Sequence, residues 1–381
     1  PKSEPAPAKE PEETELERAA QMIEKAKRPL IYVGGGAISS GASDALKTFA
    51  QKLHIPVACS MMGLGAYPCS AELFLGLVGM HGNPVANSDL LIAAGARFSN
   101  RVAASKESFA PKAKIIHIDI DAAEFDKNII SDAHILGDLG KTLEKLSTML
   151  PPGENPEWLG EIAEFKRRIP RPKPYAPYTV LHTLSELTKG EANIVTDVGQ
   201  NQMWTAQYYD FERPRSLITS GGLGAMGFGM GAAIGAALGK PERKTVLITG
   251  DGGFHMSLSE LATLSRYNIP VVVVVMNNGV LGMVRQWQNI FYEKRYSQTD
   301  PHRKTDFVKL AEGFGGTDMA AVAKAFGVKG MRIKNPSQAK RVFKKALSMD
   351  KPVVIDCRID PDCAVLPMIP PGGDITTAIY K

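Results

Sequence analysis

At 381 residues the chain is too long for one core of usual size, and about 150 residues per domain points to two or three domains. Its 44% hydrophobic and 22% charged residues are those of a soluble globular protein. The formal charge of +5 is mild, and the lysines and arginines are scattered rather than set in a basic stripe with interleaved aromatics, which argues against nucleic-acid binding. Cys59, Cys69, Cys357 and Cys363 have neither CxxC spacing nor the density of a disulfide scaffold, so they read as reduced thiols of a cytoplasmic protein, with a Cys59–Cys69 disulfide as the alternative. No secretory signal opens the chain, and its start at Pro1 rather than Met leads us to expect processing or truncation.

Residues 1–13 are proline-rich and charged, the composition of a linker. Thr14 and Glu17 match a capping box, and Leu16, Ala19, Ala20 and Ile23 recur at helical spacing through Lys27. A first domain over 14–150 then alternates strands (30–36, 55–60, 89–96, 114–121, 135–138) with helices (42–53 and the stretch up to Leu150). Apolar runs without alternation, separated by helices, predict a parallel sheet buried on both faces. Gly34, Gly35 and Gly36 follow the first strand and fit either a tight turn or a phosphate cradle. Together with Gly79-Met80-His81-Gly82 and Gly95-Ala96-Arg97 they make three glycine turns near one sheet rim, which favours a nucleotide site.

Residues 151–176 are rich in proline around one short helix and read as a surface connection between domains, with the alternating charges of EIAEFKRR as a solvated face. The second domain, 177–360, opens with a helix to Lys189 and a strand over 193–199. Asp197 at its end fits a helix N-cap, or, with Gly199-Gln200-Asn201-Gln202, an anion contact. Residues 219–239, TSGGLGAMGFGMGAAIGAALG, carry GxxxG spacing but lack aromatic belts and lie between soluble α/β units, which argues against a membrane helix. Four interior glycines cost such a helix on the order of 4 kcal/mol, so close packing is expected to return that energy.

The stretch TVLITGDGGFHMSLSELATLSRYNIPVVVVVMNN, 245–278, reads as strand, glycine turn with an acid, helix from about 257–259, and buried strand. Such a unit sets its two strands side by side and parallel, so Asp251 and Asn277-Asn278 meet at the carboxyl rim where α/β sheets bind ligands. A carboxylate, an amide oxygen and loop carbonyls are hard donors suited to Mg²⁺ on a phosphate, and glycines 250, 252 and 253 allow close approach to an anion. Beyond it, Met283 and Trp287 share a helical face that is either core or pocket. Helices over 306–328 around GFGGT, a strand at 330–335, a helix over 336–349 and a last strand at 352–357 precede a proline- and glycine-rich tail, 361–381, expected to wrap over a surface.

GDG followed at this interval by NN resembles the thiamin-diphosphate binding motif. With RPLIYVGGG, GMHG, GAR..NRV, VGQNQMW, TSGGLGAMGFG and GMVRQWQ, the chain from about Leu16 to Gly373 resembles the large catalytic subunit of the acetolactate synthase family. The resemblance implies an α/β fold of two Rossmann-like domains with mainly parallel sheets, a central FAD-type domain and a C-terminal thiamin-diphosphate domain. It implies Asp251, Asn278 and the Val280 carbonyl on Mg²⁺; Gly199, Gln200 and Asn201 along the diphosphate, with Gly252, Gly253 and Met283 nearby; and Met226 propping the bent cofactor. It also implies Arg101 at the carboxylate of the second substrate, and Trp287 shaping the pocket that admits 2-ketobutyrate. Gly34, Gly35, Gly36, Met80, His81, Gly95, Arg97, Asp119 and Asp138 would line FAD.

This sequence departs from the family pattern twice, with Asn201 in place of a histidine and Ser99-Asn100 in place of an aspartate pair before Arg101. The implied reaction is decarboxylation of pyruvate and ligation to a second 2-oxo acid, in branched-chain amino acid biosynthesis, by a homodimer or tetramer with a regulatory small subunit. No glutamate here matches the motif that activates thiamin. A pyrimidine-binding domain outside these residues is therefore expected to supply it, and the chain alone is expected to be inactive.

Overall fold

The computed structural model describes residues 9–78, 80, 83–99, 109–168, 176–299, 318–370, 373 and 377–380. Their contacts form two compact units, one drawn from 1–171, 212–214 and 366–381, the other from 172–211 and 215–365. Each contains one six-stranded sheet in which every pairing is parallel.

In the first unit the order of elements is α1 (Glu13–Lys25), β1 (Pro29–Val33), α2 (Gly35–Ser39), α3 (Ser43–Leu53), β2 (Val57–Cys59), β3 (Phe74–Leu77), α4 (Asn83–Asn87), β4 (Leu90–Ala94), β5 (Lys114–Asp119), β6 (Ala133–Leu136), α5 (Leu139–Met149) and α6 (Pro156–Arg168). Strands β1 and β4 are buried at every residue, as a sheet covered on both faces requires. The spatial order β3-β2-β1-β4-β5-β6 reverses direction between β1 and β4. That is the doubly wound arrangement, whose crevice lies at this reversal.

Local details differ from the sequence reading. Helix α1 buries Leu16, Ala19, Ala20 and Ile23 as predicted, but its N-cap is Glu12, whose side chain makes no cap bond. Thr14 is already inside the helix, so the expected Thr14–Glu17 box does not form, and Glu13 and Glu15 favour the helix start through its dipole. Strand β3 was not foreseen: it is short, contains Gly76 at φ +94° and pairs across a register shift, so it carries no long apolar run. Helix α6, expected on a surface connection, sends Trp158 and Ile162 into the core beside Leu30, Leu91 and Phe109. The Trp158 indole N–H donates to the Pro29 carbonyl at 2.9 Å, and only the opposite face keeps the solvated charges, with Glu161 paired to Arg28. None of the four cysteines forms a disulfide, so the Cys59–Cys69 alternative does not occur.

The second unit runs α7 (Ala176–Thr188), β7 (Asn193–Thr196), α8 (Gln200–Tyr208), β8 (Leu217–Ile218), α9 (Phe228–Gly239), β9 (Thr245–Gly250), α10 (Asp251–Met256), α11 (Leu261–Arg266), β10 (Val271–Asn277), α12 (Gly282–Phe291), α13 (Met319–Ala325), β11 (Lys329–Ile333), α14 (Ala339–Leu347) and β12 (Val353–Arg358). Its order is β11-β12-β10-β9-β7-β8, so the reversal falls between β7 and β9. The core joins Val271, Val273 and Val275 of β10 to Met230 and Ala233 of α9 and to Leu261 and Leu264 of α11. The glycine-rich α9 therefore packs on the sheet, and among the described residues no helix is long and apolar enough to cross a membrane. Of the expected helices over 306–328, residues 306–317 lie outside the described residues.

Candidate functional site

The reversal in the second sheet gathers three stretches at the carboxyl ends of adjacent strands: Gly199–Asn201 after β7, Asp251 after β9 and Asn278–Val280 after β10. The predicted pairing of β9 with β10 is present, with Gly250 opposite Met276. Asp251, 4% exposed, accepts the Gly279 N–H through Oδ2 at 2.9 Å, so the two turns are joined. Burial pushes its carboxyl up to about 7, against the lowering pull of the Gly252 and Gly279 N–H groups and of the Arg358 charge. A buried carboxylate raised in this way is relieved by a cation. Among the described residues no three His, Cys, Asp or Glu side chains cluster as a metal site. The protein's remaining donors here are amide and carbonyl oxygens, which suits Mg²⁺ taken up with a phosphate rather than a closed protein cage.

The helix after GDG begins at Asp251 itself, with Gly250 as N-cap, and not near Ser257. A 3-10 turn over Leu258–Glu260 and α11 follow it. Glycines 252 and 253 thus sit in a first helical turn, where backbone N–H groups have no partner within the helix and favour an anion. A Cβ on Gly252 would lie 3.3 Å from Met226 Cε and 3.4 Å from Leu281 Cδ2, which places those side chains against the bare turn. A Cβ on Gly253 would come within 2.5 Å of the Asp197 carboxylate.

The two asparagines of NN separate. Asn277 ends β10, buried, and donates to Asp356 at 3.0 Å. Asn278 turns into the site, its Oδ1 accepting the Val280 N–H at 3.2 Å and its Nδ2 donating to Gln200 Oε1 at 3.1 Å. Gly199, at φ +121°, makes the turn that brings Gln200 there. Asn201 Oδ1 is buried and has no partner among the described residues. Met283 and Trp287 are both half-buried on α12, Trp287 edge-on to Phe291 at 5.3 Å, while the buried side of the helix is Gln286.

Two polar residues of this region carry more than sequence spacing suggested. Asp197 does not cap the helix that follows it, since the N-cap of α8 is Gly199. Its carboxylate instead accepts the N–H groups of Gly227 at 3.1 Å and Gly229 at 2.9 Å, at the start of α9. Gln286 accepts from Gln200 at 3.0 Å and exchanges two bonds with Val365, and the only sequence signal for it is a polar residue on an apolar helix face.

In the first unit, Gly34–Gly36 after β1 meet Gly95 after β4 at the sheet reversal. Gly36 N–H donates to the Gly95 carbonyl at 3.0 Å, and a Cβ on Gly34 would lie 2.1 Å from that oxygen. These glycines therefore bring the two backbones together at the rim. Arg97 is exposed, Met80 is buried, Asp119 accepts the Asp121 N–H, and Asp138 caps α5 through the Lys141 N–H at 3.0 Å. Phe98 holds φ +47° under contact with Tyr32, Phe109 and His117, a strained position beside the rim. His81 and Arg101 lie outside the described residues.

Residues 197–357 match the model of the thiamine pyrophosphate enzyme C-terminal TPP binding domain, and residues 16–146 match the central domain of the same enzymes. The chain belongs to the thiamine pyrophosphate enzymes. Thiamine pyrophosphate is thiamin diphosphate, and the matched C-terminal domain spans Asp197, Asp251 and Asn278 alike. Among curated proteins the chain is similar to a probable acetolactate synthase large subunit of Methanocaldococcus jannaschii, 44% identical over 96% of this chain and 63% of that protein. It is also similar to the acetolactate synthase isozyme 3 large subunit of Escherichia coli, 38% identical over 94% and 64%, and to acetolactate synthase 1, chloroplastic, of Nicotiana tabacum, 41% identical over 97% and 57%. The chain thus spans somewhat less than two thirds of the length of these relatives.

Proposed function

We propose that the second unit holds the diphosphate of thiamin diphosphate through Mg²⁺, and that the chain serves acetolactate synthesis from pyruvate. The observation that carries this reading is Asp251, a buried carboxylate raised to about 7 and bonded to the Asn278–Val280 turn. Asp251, Asn278 Oδ1 and the Val280 carbonyl are the oxygens offered to the ion. Gly252 and Gly253 offer N–H groups to the diphosphate, and Gly199, Gln200 and Asn201 line it. When bound, thiamin diphosphate supplies an electron sink for decarboxylation of a 2-oxo acid. The protein's part is to bind and orient: Met226 stands against the glycine turn, Met283 lines thiamin diphosphate, and Trp287 shapes the approach of a second 2-oxo acid, pyruvate or 2-ketobutyrate.

For the first unit we propose an FAD site at the β1–β4 reversal. Support comes from the strand order and from the contact of Gly34–Gly36 with Gly95. Gly35, Met80, Arg97, Asp119 and Asp138 stand on or near that rim, and His81 and Arg101 retain the roles the resemblance gives them. A cytoplasmic oligomer with a small subunit completes the proposal, in keeping with the "large subunit" in the relatives' names.

Calorimetric titration tests the site. Wild-type protein is expected to bind thiamin diphosphate only with Mg²⁺, and Asp251→Ala to lose that dependence. Unchanged affinity in the variant would refute the ligand assignment. For the reaction, the protein supplied with its partner domain is expected to make acetolactate from pyruvate, and a different product would overturn the substrate.

A further inference from the structure

We propose that Gln286 is a positioning residue that sets the amide orientation of Asn278 through Gln200, so that the Asn278 oxygen faces the ion. This rests on the Mg²⁺ reading above and assigns a residue that touches neither ion nor cofactor. Gln286 lies on the buried side of α12, 5% exposed, where an apolar side chain would pack without the cost of desolvating an amide. Its bonds offset that cost. Oε1 accepts from Gln200 Nε2 at 3.0 Å and from the Val365 N–H at 2.8 Å, and Nε2 donates to the Val365 carbonyl at 3.0 Å. The Val365 pair fixes which end of the Gln286 amide faces Gln200.

The relay follows from the asymmetry of a carboxamide, which has one accepting and one donating end. Gln200 commits its Nε2 to Gln286 Oε1 and to the Cys363 carbonyl at 2.9 Å, so only its Oε1 is left to face Asn278. Asn278 must then present Nδ2 to Gln200 at 3.1 Å. Its Oδ1 is turned the other way, toward the Val280 N–H and the turn that Asp251 grips. Gly282 keeps this meeting open, since a Cβ there would lie 2.0 Å from Gln200 Oε1 and 2.5 Å from Asn278 Nδ2. Without the Gln286 acceptor, only the Cys363 carbonyl still holds Gln200 to this amide orientation, and Asn278 is held less firmly with its oxygen toward the ion.

The test is a Mg²⁺ titration of thiamin diphosphate binding by calorimetry, on wild type, Gln286→Met, Gln286→Glu, Gln200→Met and the Gln200→Met/Gln286→Met double variant. Loss of an outer partner of this kind weakens metal affinity by about 10–100-fold, and Gln286→Met is expected to fall in that range. Gln286→Glu keeps the acceptor for Gln200 and gives up the donor to Val365. It is expected to restore Mg²⁺ affinity even where its melting temperature stays low, which a purely structural role would not do. In the Gln200→Met background, Gln286→Met is expected to add no further loss. Wild-type affinity in Gln286→Met, or full additivity in the double variant, would overturn the relay. If wild-type binding ignores Mg²⁺, or survives Asp251→Ala, it is the Mg²⁺ reading that fails.

Discussion

Asp197, Asp251 and Asp356 are all buried near the carboxyl ends of strands in the second sheet, and each is held differently. Asp197 takes N–H groups from Val198, Gly227 and Gly229. Asp356 takes the Asn277 amide and stands 3.5 Å and 3.3 Å from Arg332 and Arg358. Asp251 accepts the Gly279 N–H in the turn that carries Asn278 and Val280, and burial raises its carboxyl to about 7. Its place beside those amide and carbonyl oxygens is what supports the proposed cation site. Another buried group makes the first unit sensitive to acid. His117 lies between Phe98 and Phe125 with Nε2 on the Ala96 carbonyl at 2.9 Å, and burial holds its pKa below the ordinary value despite the attraction of Asp119. The unfolded chain takes up a proton that the folded one refuses, so stability is full above about pH 6.5 and declines as pH falls below it. The melting temperature of wild type is expected to drop more steeply with acid than that of His117→Phe; parallel curves would contradict this.

At the scale of the element, α9 shows that its glycines serve unlike ends. A Cβ on Gly229 would meet Leu247 Cδ1 at 2.7 Å and Asp197 Oδ2 at 3.0 Å, so this glycine lets the helix start sit on the carboxylate. Gly231, Gly235 and Gly239 have nothing within 4 Å among the described residues, so packing within this chain accounts for Gly229 and not for them. Gly229→Ala is expected to cost about 1–3 kcal/mol through overpacking. Gly231→Ala is expected to gain up to about 1 kcal/mol through helix propensity. Urea unfolding of the two variants measures both, and a loss at Gly231 equal to that at Gly229 would show that the open side of α9 is covered. Helix α10 makes a second point. Its start at Asp251 rather than six residues later brings the glycine N–H groups and the carboxylate into one turn.

Across the whole molecule, two sheets each reverse once, and each reversal collects glycine turns. With separate cores, the units are expected to respond separately to ligands. In scanning calorimetry, thiamin diphosphate with Mg²⁺ should raise one transition and FAD the other, each by about 2.7 kcal/mol at a hundredfold excess over Kd. A ligand that moves neither transition would count against its site. The sequence by itself determined the elements and one junction: unbroken apolar runs such as LLIAA and VVVVV make buried parallel strands, and a strand-helix-strand unit must set its ends side by side, so Asp251 and Asn278 were legible together. It did not reveal that Asn277 turns to Asp356, that Asp197 caps a helix thirty residues on, that Gln286 is tied to Val365, or that α6 fills the first core with Trp158. Those were decided by tertiary structure, for one physical reason. A strand or turn is set by neighbours in the chain, whereas the partner of a buried polar group or aromatic ring is set by whichever distant segment the packed sheet brings against it.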